Sequence, residues 1–164
     1  MKELLQQYAS YNVWAHQRLF DITRQLNDEQ IHLEMNSSFS NIYKTNLHML
    51  DAESIWWQRL KLDEQVDRPS DTFNGNFAEL EKKLLQQSRL WEEWVKNATE
   101  LQLNHVFAYQ NTKKEQFKQP VKEMLVHIFN HGSYHRGQQV SMLRELRIEK
   151  IPPTDFIVYS RLKK

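Results

Sequence analysis

The chain has 164 residues, 40% hydrophobic and 26% charged, long enough for one domain with a proper core and in the range of soluble globular proteins. A formal net charge of +1, with basic residues scattered among acids, argues against a nucleic-acid partner, and the tail Arg161-Leu-Lys-Lys is too short to change this. The absence of cysteine excludes disulfides, all-cysteine zinc sites and a thiol nucleophile of the protein's own, and no apolar run approaches the roughly 18 residues of a membrane span. The opening Met1-Lys-Glu-Leu-Leu-Gln-Gln is polar and helical rather than a signal peptide, so the expected location is the cytoplasm, with no membrane partner. Three Gly and four Pro favour long helices over a many-turned β fold.

The first helix is predicted from about Lys2 to Leu26, with Leu4, Tyr8, Tyr11, Ala15, Leu19, Ile22 and Leu26 as its stripe. His16 lies beside that stripe without a neighbouring ligand type and reads as a surface or packing residue. An irregular connection starts at Asn27-Asp28-Glu29. Ser37, Ser38 and Ser40 offer N-caps for a second helix over about Asn41 to Lys61, with Ser40 the best placed. There Thr45, His48, Ala52 and Ile55 share one line beside the apolar face, so His48 taken alone reads as a core histidine. Asp63 to Gly75 is a polar connection with turn signals at Pro69 and Asn74-Gly75. Asn76 and Glu79 resemble a capping box for a third helix reaching about Ala98. Its Trp91 and Trp94 read as core and shoulder packing. Val106-Phe-Ala-Tyr109 and Glu115-Gln-Phe-Lys118 flank Asn111-Thr-Lys-Lys and read as a short β-hairpin. Its His105 is expected on the solvent side. Pro120 suits the first turn of a fourth helix running to about Leu146. After Pro152-Pro153, Thr154 or Asp155 can cap a last short turn whose Phe156, Ile157 and Tyr159 cover the bundle. The expected class is all-α: a four-helix bundle in one domain over residues 1–164, with a short β-hairpin between helices three and four.

The fourth helix carries His127-Ile-Phe-Asn-His131-Gly-Ser-Tyr-His135-Arg136-Gly-Gln138. Residues four apart lie one above the other on a helix, so two such imidazoles can grip one ion. His127 and His135 are about 12 Å apart along the axis and cannot share it. That leaves His127/His131, His131/His135, or neither. The apolar line through Ile128 passes over His131, His135 and Gln138 to Met142, so the later pair takes inward positions. Two inward histidines are costly to bury unless hydrogen-bonded or ligated. Gly132 and Gly137 suggest that another segment approaches closely there. A third imidazole from the second helix is what the pair lacks, since two ligands hold a metal poorly and three leave a position open.

Three stretches carry a resemblance. They are Thr45-Asn-Leu-His48-Met-Leu-Asp-Ala-Glu53 with Trp57, Asn130-His131-Gly-Ser-Tyr134-His135-Arg136-Gly137-Gln138, and the ending Pro153-Thr154-Asp155-Phe156-Ile157-Val158-Tyr159. Together they resemble the DinB family of bacterial proteins, named for DNA-damage induction, over essentially the full length. The resemblance implies a DinB-type four-helix bundle, a stress-response setting and a frequent homodimer. It also implies one divalent transition metal, zinc or nickel, held by His48, His131 and His135. Relatives with an assigned activity include metal-dependent thiol S-transferases using bacillithiol or mycothiol, and a maleylpyruvate isomerase. The name describes induction and does not imply DNA binding.

Three neutral imidazoles leave a 2+ ion its full charge, which lowers the pKa of a bound thiol or water. With no Cys in the chain, a low-molecular-weight thiol would have to come from outside, to attack an electrophilic small-molecule substrate. A hydrolase, or a non-catalytic metal- or ligand-binding stress protein, fits the same ligands. Asp51, and less so Glu53, are candidates to orient His48, and Gln138 shares the face of His131 and His135. Arg136 points off that line and is expected at the surface or an interface. No general base is assigned.

Overall fold

The computed structural model describes residues 1–111 and 113–162. Thr112 of the expected hairpin turn and the last two lysines of the basic tail lie outside them. Four long helices dominate: α1 (Lys2–Thr23), α3 (Ile42–Lys61), α4 (Phe77–Asn97) and α6 (Val121–Glu145). Three shorter ones, α2 (Asp28–His32), α5 (Glu100–Asn104) and α7 (Phe156–Leu162), and a 3-10 turn at Pro69–Asp71 fill the connections. The two strands, β1 (Val106–Gln110) and β2 (Gln116–Pro120), pair antiparallel with Val106 opposite Pro120 and Gln110 opposite Gln116. The fold is the expected all-α bundle with a hairpin before its last long helix. None of the described helices is long and apolar enough to cross a membrane.

Both α1 and α3 pack on α4 and on α6. That arrangement sets α3 and α6 side by side, which the candidate site requires. Trp91, Val95, Met124, Leu125, Ile128 and Phe129 join Leu5 and Ala9 in one core cluster. Toward the other end, Leu19 and Ile42 meet Met142 and Leu143.

The caps follow the local chemistry. Asn76 accepts from the Glu79 amide at 3.0 Å while the Glu79 carboxylate accepts from the Asn76 amide at 2.9 Å, the expected box. The cap of α3 is Asn41 rather than Ser40: its side chain accepts from the Lys44 amide at 2.8 Å. Ser40 spends its hydroxyl on the Lys44 ammonium instead. The connection after α1 is not wholly irregular, because Asn27 and Gln30 form a second capping box that starts α2. A third, at Thr99 and Gln102, starts α5. The second strand lies later than Glu115–Lys118 and runs into Pro120, which therefore ends β2 and caps α6 rather than entering its first turn.

The buried face of α1 is wider than its apolar stripe. Leu4 is exposed and Leu5 takes its place, and Asn12, His16 and Thr23 are buried with the apolar residues. At the C-terminal end Phe156 and Tyr159 cover Tyr8, Tyr11 and Trp14, and the Tyr11 hydroxyl donates to the Thr154 carbonyl at 2.7 Å. Ile157, expected to join them, faces outward.

Candidate metal centre

On α6, His131 and His135 lie one turn apart on the face turned to α3, and α3 presents His48 opposite them. The three imidazoles converge through one atom each. Nε2 of His131 is 3.1 Å from Nε2 of His48 and 3.1 Å from Nε2 of His135. The ring centroids form a near-regular triangle of 5.0, 4.4 and 4.7 Å. Three nitrogens bound tetrahedrally at about 2.0–2.1 Å from one ion lie about 3.3 Å apart, so little movement separates this cluster from a coordination sphere. Among the described residues it is the one group of His, Asp or Glu side chains so arranged.

Electrostatics keep these rings neutral. Burial, and then the neighbouring His135, pull the His48 pKa down to about 4. Burial, and then His135, His48 and His127, pull that of His131 down to about 3. Burial lowers His135 as well, against the opposing effect of Gln138. Charging one ring costs desolvation and repulsion by the others, so near neutral pH each offers a lone pair. For His135 the tautomer is fixed: Nδ1–H donates to Gln138 Oε1 at 2.7 Å, which leaves Nε2 unprotonated. Gln138 is held in turn, its amide donating to Ser38 at 3.1 Å and to the Tyr134 hydroxyl at 3.3 Å. Phe39, which carried no signal in the sequence, stacks on His48 at 4.0 Å and meets His135 edge-on at 5.6 Å.

A family model described as the DinB family matches residues 1–163. The chain belongs to the DinB family. It is also similar to "Protein DinB" of Bacillus subtilis (strain 168), with 30% identity over 158 residues, 91% of this chain and 89% of that protein.

Around the triad of this DinB-family chain the supporting residues sort differently from expectation. Gln138 supports a ring directly. Asp51 gives its carboxylate to the Ser70 amide at 2.8 Å, anchoring the 3-10 turn on α3, and no described bond joins it to His48. His127 lies off the triad, 5.9 Å from His131 between ring centroids and edge-on to Trp56. His105 is exposed, as expected.

Glu53, Arg136 and His16 form a second polar centre inside the bundle. Arg136 is 1% exposed, where the sequence suggested the surface or an interface, and His16 is 1% exposed, the packing alternative of its reading. The Arg136 guanidinium donates to Asn12 Oδ1 at 2.7 Å and to Ser133 at 3.0 Å, and lies over the Tyr11 ring. The Asn12 amide donates to Glu53 Oε1 at 2.8 Å, and Ser88 donates to both Glu53 oxygens. Trp91 donates to the Glu53 carbonyl at 3.1 Å. One cation and one anion, bridged by an amide, thus tie α1, α3, α4 and α6 together. His16 sits 3.3 Å from Glu53 and 3.4 Å from Arg136. Burial dominates its titration and Arg136 adds to it, so its pKa falls despite the Glu53 contact, and it is neutral. Gly132 is the close approach that its type suggested: a Cβ there would lie 2.9 Å from both Arg136 Nη1 and Asn12 Oδ1. Gly137 is not, since nothing lies within 4 Å of its would-be Cβ.

Proposed function

We propose that this chain is a divalent-metal-dependent thiol S-transferase. One observation carries the reading: three neutral imidazoles from two helices converge through Nε2, with no carboxylate among them. His48, His131 and His135 would hold the ion; imidazole ligands accept zinc and nickel, the expected ions, as well as cobalt, iron and copper. Bound there, it would supply an uncompensated positive charge that favours the thiolate form of a thiol sharing the site. The protein's own residues prepare that position. Gln138 keeps Nε2 of His135 free of its proton, and Phe39 packs against two of the three rings. The thiol must come from solution, because the chain has no Cys. In the transfer, the thiol loses its proton, its sulfur bonds to the electrophilic carbon, and the leaving group departs with the electron pair and takes up a proton. We also propose the homodimer typical of the family.

A second reading is a non-catalytic metal- or ligand-binding protein. It is favoured by the absence, among the described residues, of an acid or base hydrogen-bonded within the triad other than the imidazoles themselves.

Elemental analysis of untagged protein beside His48→Ala and His135→Ala tests the site. About one metal per chain, lost in both variants, is expected. Wild-type protein that takes up neither zinc nor nickel on reloading would end the proposal. Metal-dependent consumption of a bacillithiol and electrophile mixture then separates the transferase from the binding protein.

A further inference from the structure

The two flanks of the triad differ. Phe39 and Tyr134 cover the His48 and His135 side. On the other side His131 faces His127, His127 meets Trp56 edge-on at 5.5 Å, and the Arg59 guanidinium lies 4.6 Å over the Trp56 ring. Tyr109 of β1 flanks the same guanidinium at 5.2 Å and packs on Trp56 at 4.8 Å. Ala52, Ile55 and Arg59 continue the line of α3 that starts at His48. Eleven residues rise about 16 Å, and long helical side chains lean toward the N-terminus, so Arg59 leans back toward the triad. An unbroken strip of rings therefore joins the imidazole cluster to one cation.

That cation has no counter-charge. Arg59 Nε is buried without a hydrogen-bond partner, and no described carboxylate lies within ion-pair distance of the guanidinium. The side chain is half-buried, and a buried polar atom such as this Nε ordinarily has a partner. Burial lowers the Arg59 pKa and Tyr109 opposes it, so the two rings, and no described carboxylate, face the charge. It borders a cavity of about 640 Å³ between the end of α3, the following loop and β1, a volume suited to a small molecule. The acids on that wall do not reach Arg59. Asp71 pairs with Arg68, Asp67 accepts from Gln65, and Asp63 and Glu64 are exposed. They disfavour a polyanion, so a single carboxylate has to sit against the Arg59 side of the cavity.

We propose that Arg59, held between Trp56 and Tyr109, is the recognition subsite for a carboxylate on the small molecule whose other end reaches the His48–His131–His135 triad. The inference rests on the thiol-transfer reading and adds to it a ligand class, a carboxylate-bearing thiol. A guanidinium stacked on two rings can meet a planar two-oxygen acceptor through its terminal nitrogens, and the ring faces take the apolar stem.

The test loads the full chain with cobalt(II) and titrates it with 6-mercaptohexanoate and, separately, 6-mercaptohexanol, reading the thiolate-to-cobalt absorption band. Wild type is expected to bind the carboxylate at least about ten-fold more tightly. In Arg59→Gln and Arg59→Met the two thiols should bind alike, with mercaptohexanol affinity and cobalt content as in wild type. Equal affinities in wild type, or a preference that survives in both variants, would overturn the subsite. If neither thiol produces a band, the thiol reading fails by itself. The subsite is then decided by calorimetric titration of hexanoate: binding by wild type that is lost in Arg59→Gln upholds it, and no binding by wild type ends it.

Discussion

Gln138 shows how much one side chain can decide in a site of this kind. Its carbonyl oxygen accepts a hydrogen bond from Nδ1–H of His135 and so directs the ring's lone pair toward His48 and His131. It is itself locked by Ser38 and Tyr134. Removing such an outer partner typically costs 10–100-fold in metal affinity. Gln138→Leu should therefore weaken zinc by about that factor. Gln138→Glu, which keeps an acceptor, should hold affinity near that of wild type. Competition with a chromophoric chelator measures both, and a melting temperature within a few degrees of wild type would show that the loss is local. An unchanged affinity in Gln138→Leu would mean that packing against Phe39 and Tyr134 fixes the ring without the bond. The place of Gln138 on this face was legible from phase, because Gln138 continues the line of His131 and His135, but its bond to His135 was not. Phe39 was not, because it reaches the site from the connection before α3, where no periodicity assigns a direction.

At the scale of elements, the buried Arg136–Asn12–Glu53 bridge holds α6 against α1 and α3, and Arg136 directly follows the proposed ligand His135 in the chain. Breaking a buried ion pair from one side strands the other charge and typically costs about 3–5 kcal/mol, while replacing both partners can be nearly neutral. Arg136→Met should be destabilising on that scale. Arg136→Met combined with Glu53→Gln should cost less than the sum of the two single changes, by about 1–3 kcal/mol in a double-mutant cycle by urea unfolding. Strict additivity would mean that the two charges do not sense each other across Asn12. The sequence concealed this bridge for a physical reason. Charged residues are mostly exposed, so Arg136 and Glu53 read as surface or solvated positions when each is taken alone, and His16 showed no partner. Their partners lie on other helices, 35 to 124 residues away along the chain. Gly132 was the available clue, one turn before Arg136 and asking for a neighbour too close for a Cβ. By contrast, the long helices, the capping box at Asn76 and the hairpin rest on local periodicity and local hydrogen bonds, so they were legible. The short α2 and α5 were missed although each opens on the same capping chemistry, because five residues are too few to show a period.

For the molecule as a whole, the sign of the pH dependence separates two descriptions of its interior. Burial lowers the pKa of five of the seven histidines: His16, His48, His127, His131 and His135. Each is neutral in the fold but accepts a proton near pH 6.5 once unfolded. Below that pH the unfolded chain binds more protons, so the metal-free protein loses stability as the pH falls. His48 and His131 extend the loss to about pH 4 and about pH 3. Glu81 works the other way: burial raises its pKa, so near and just above pH 4.5 the fold is the better proton binder there. With five groups against one, the loss should dominate between pH 7.5 and 5.5. His16 makes the test sharp, because its 3.3 Å contact with Glu53 has the geometry of an ion pair. A charged His16 would hold its proton more tightly in the fold and make stability rise as the pH falls. A neutral His16, excluded from water beside Arg136, contributes a limiting slope of about 1.4 kcal/mol per pH unit in the opposite sense. Urea unfolding with chelator at pH 7.5, 6.5 and 5.5 should show stability falling across the series, and a shallower fall in His16→Gln. A steeper fall in that variant would instead make His16 and Glu53 a true ion pair and assign Arg136 no hold on the histidine.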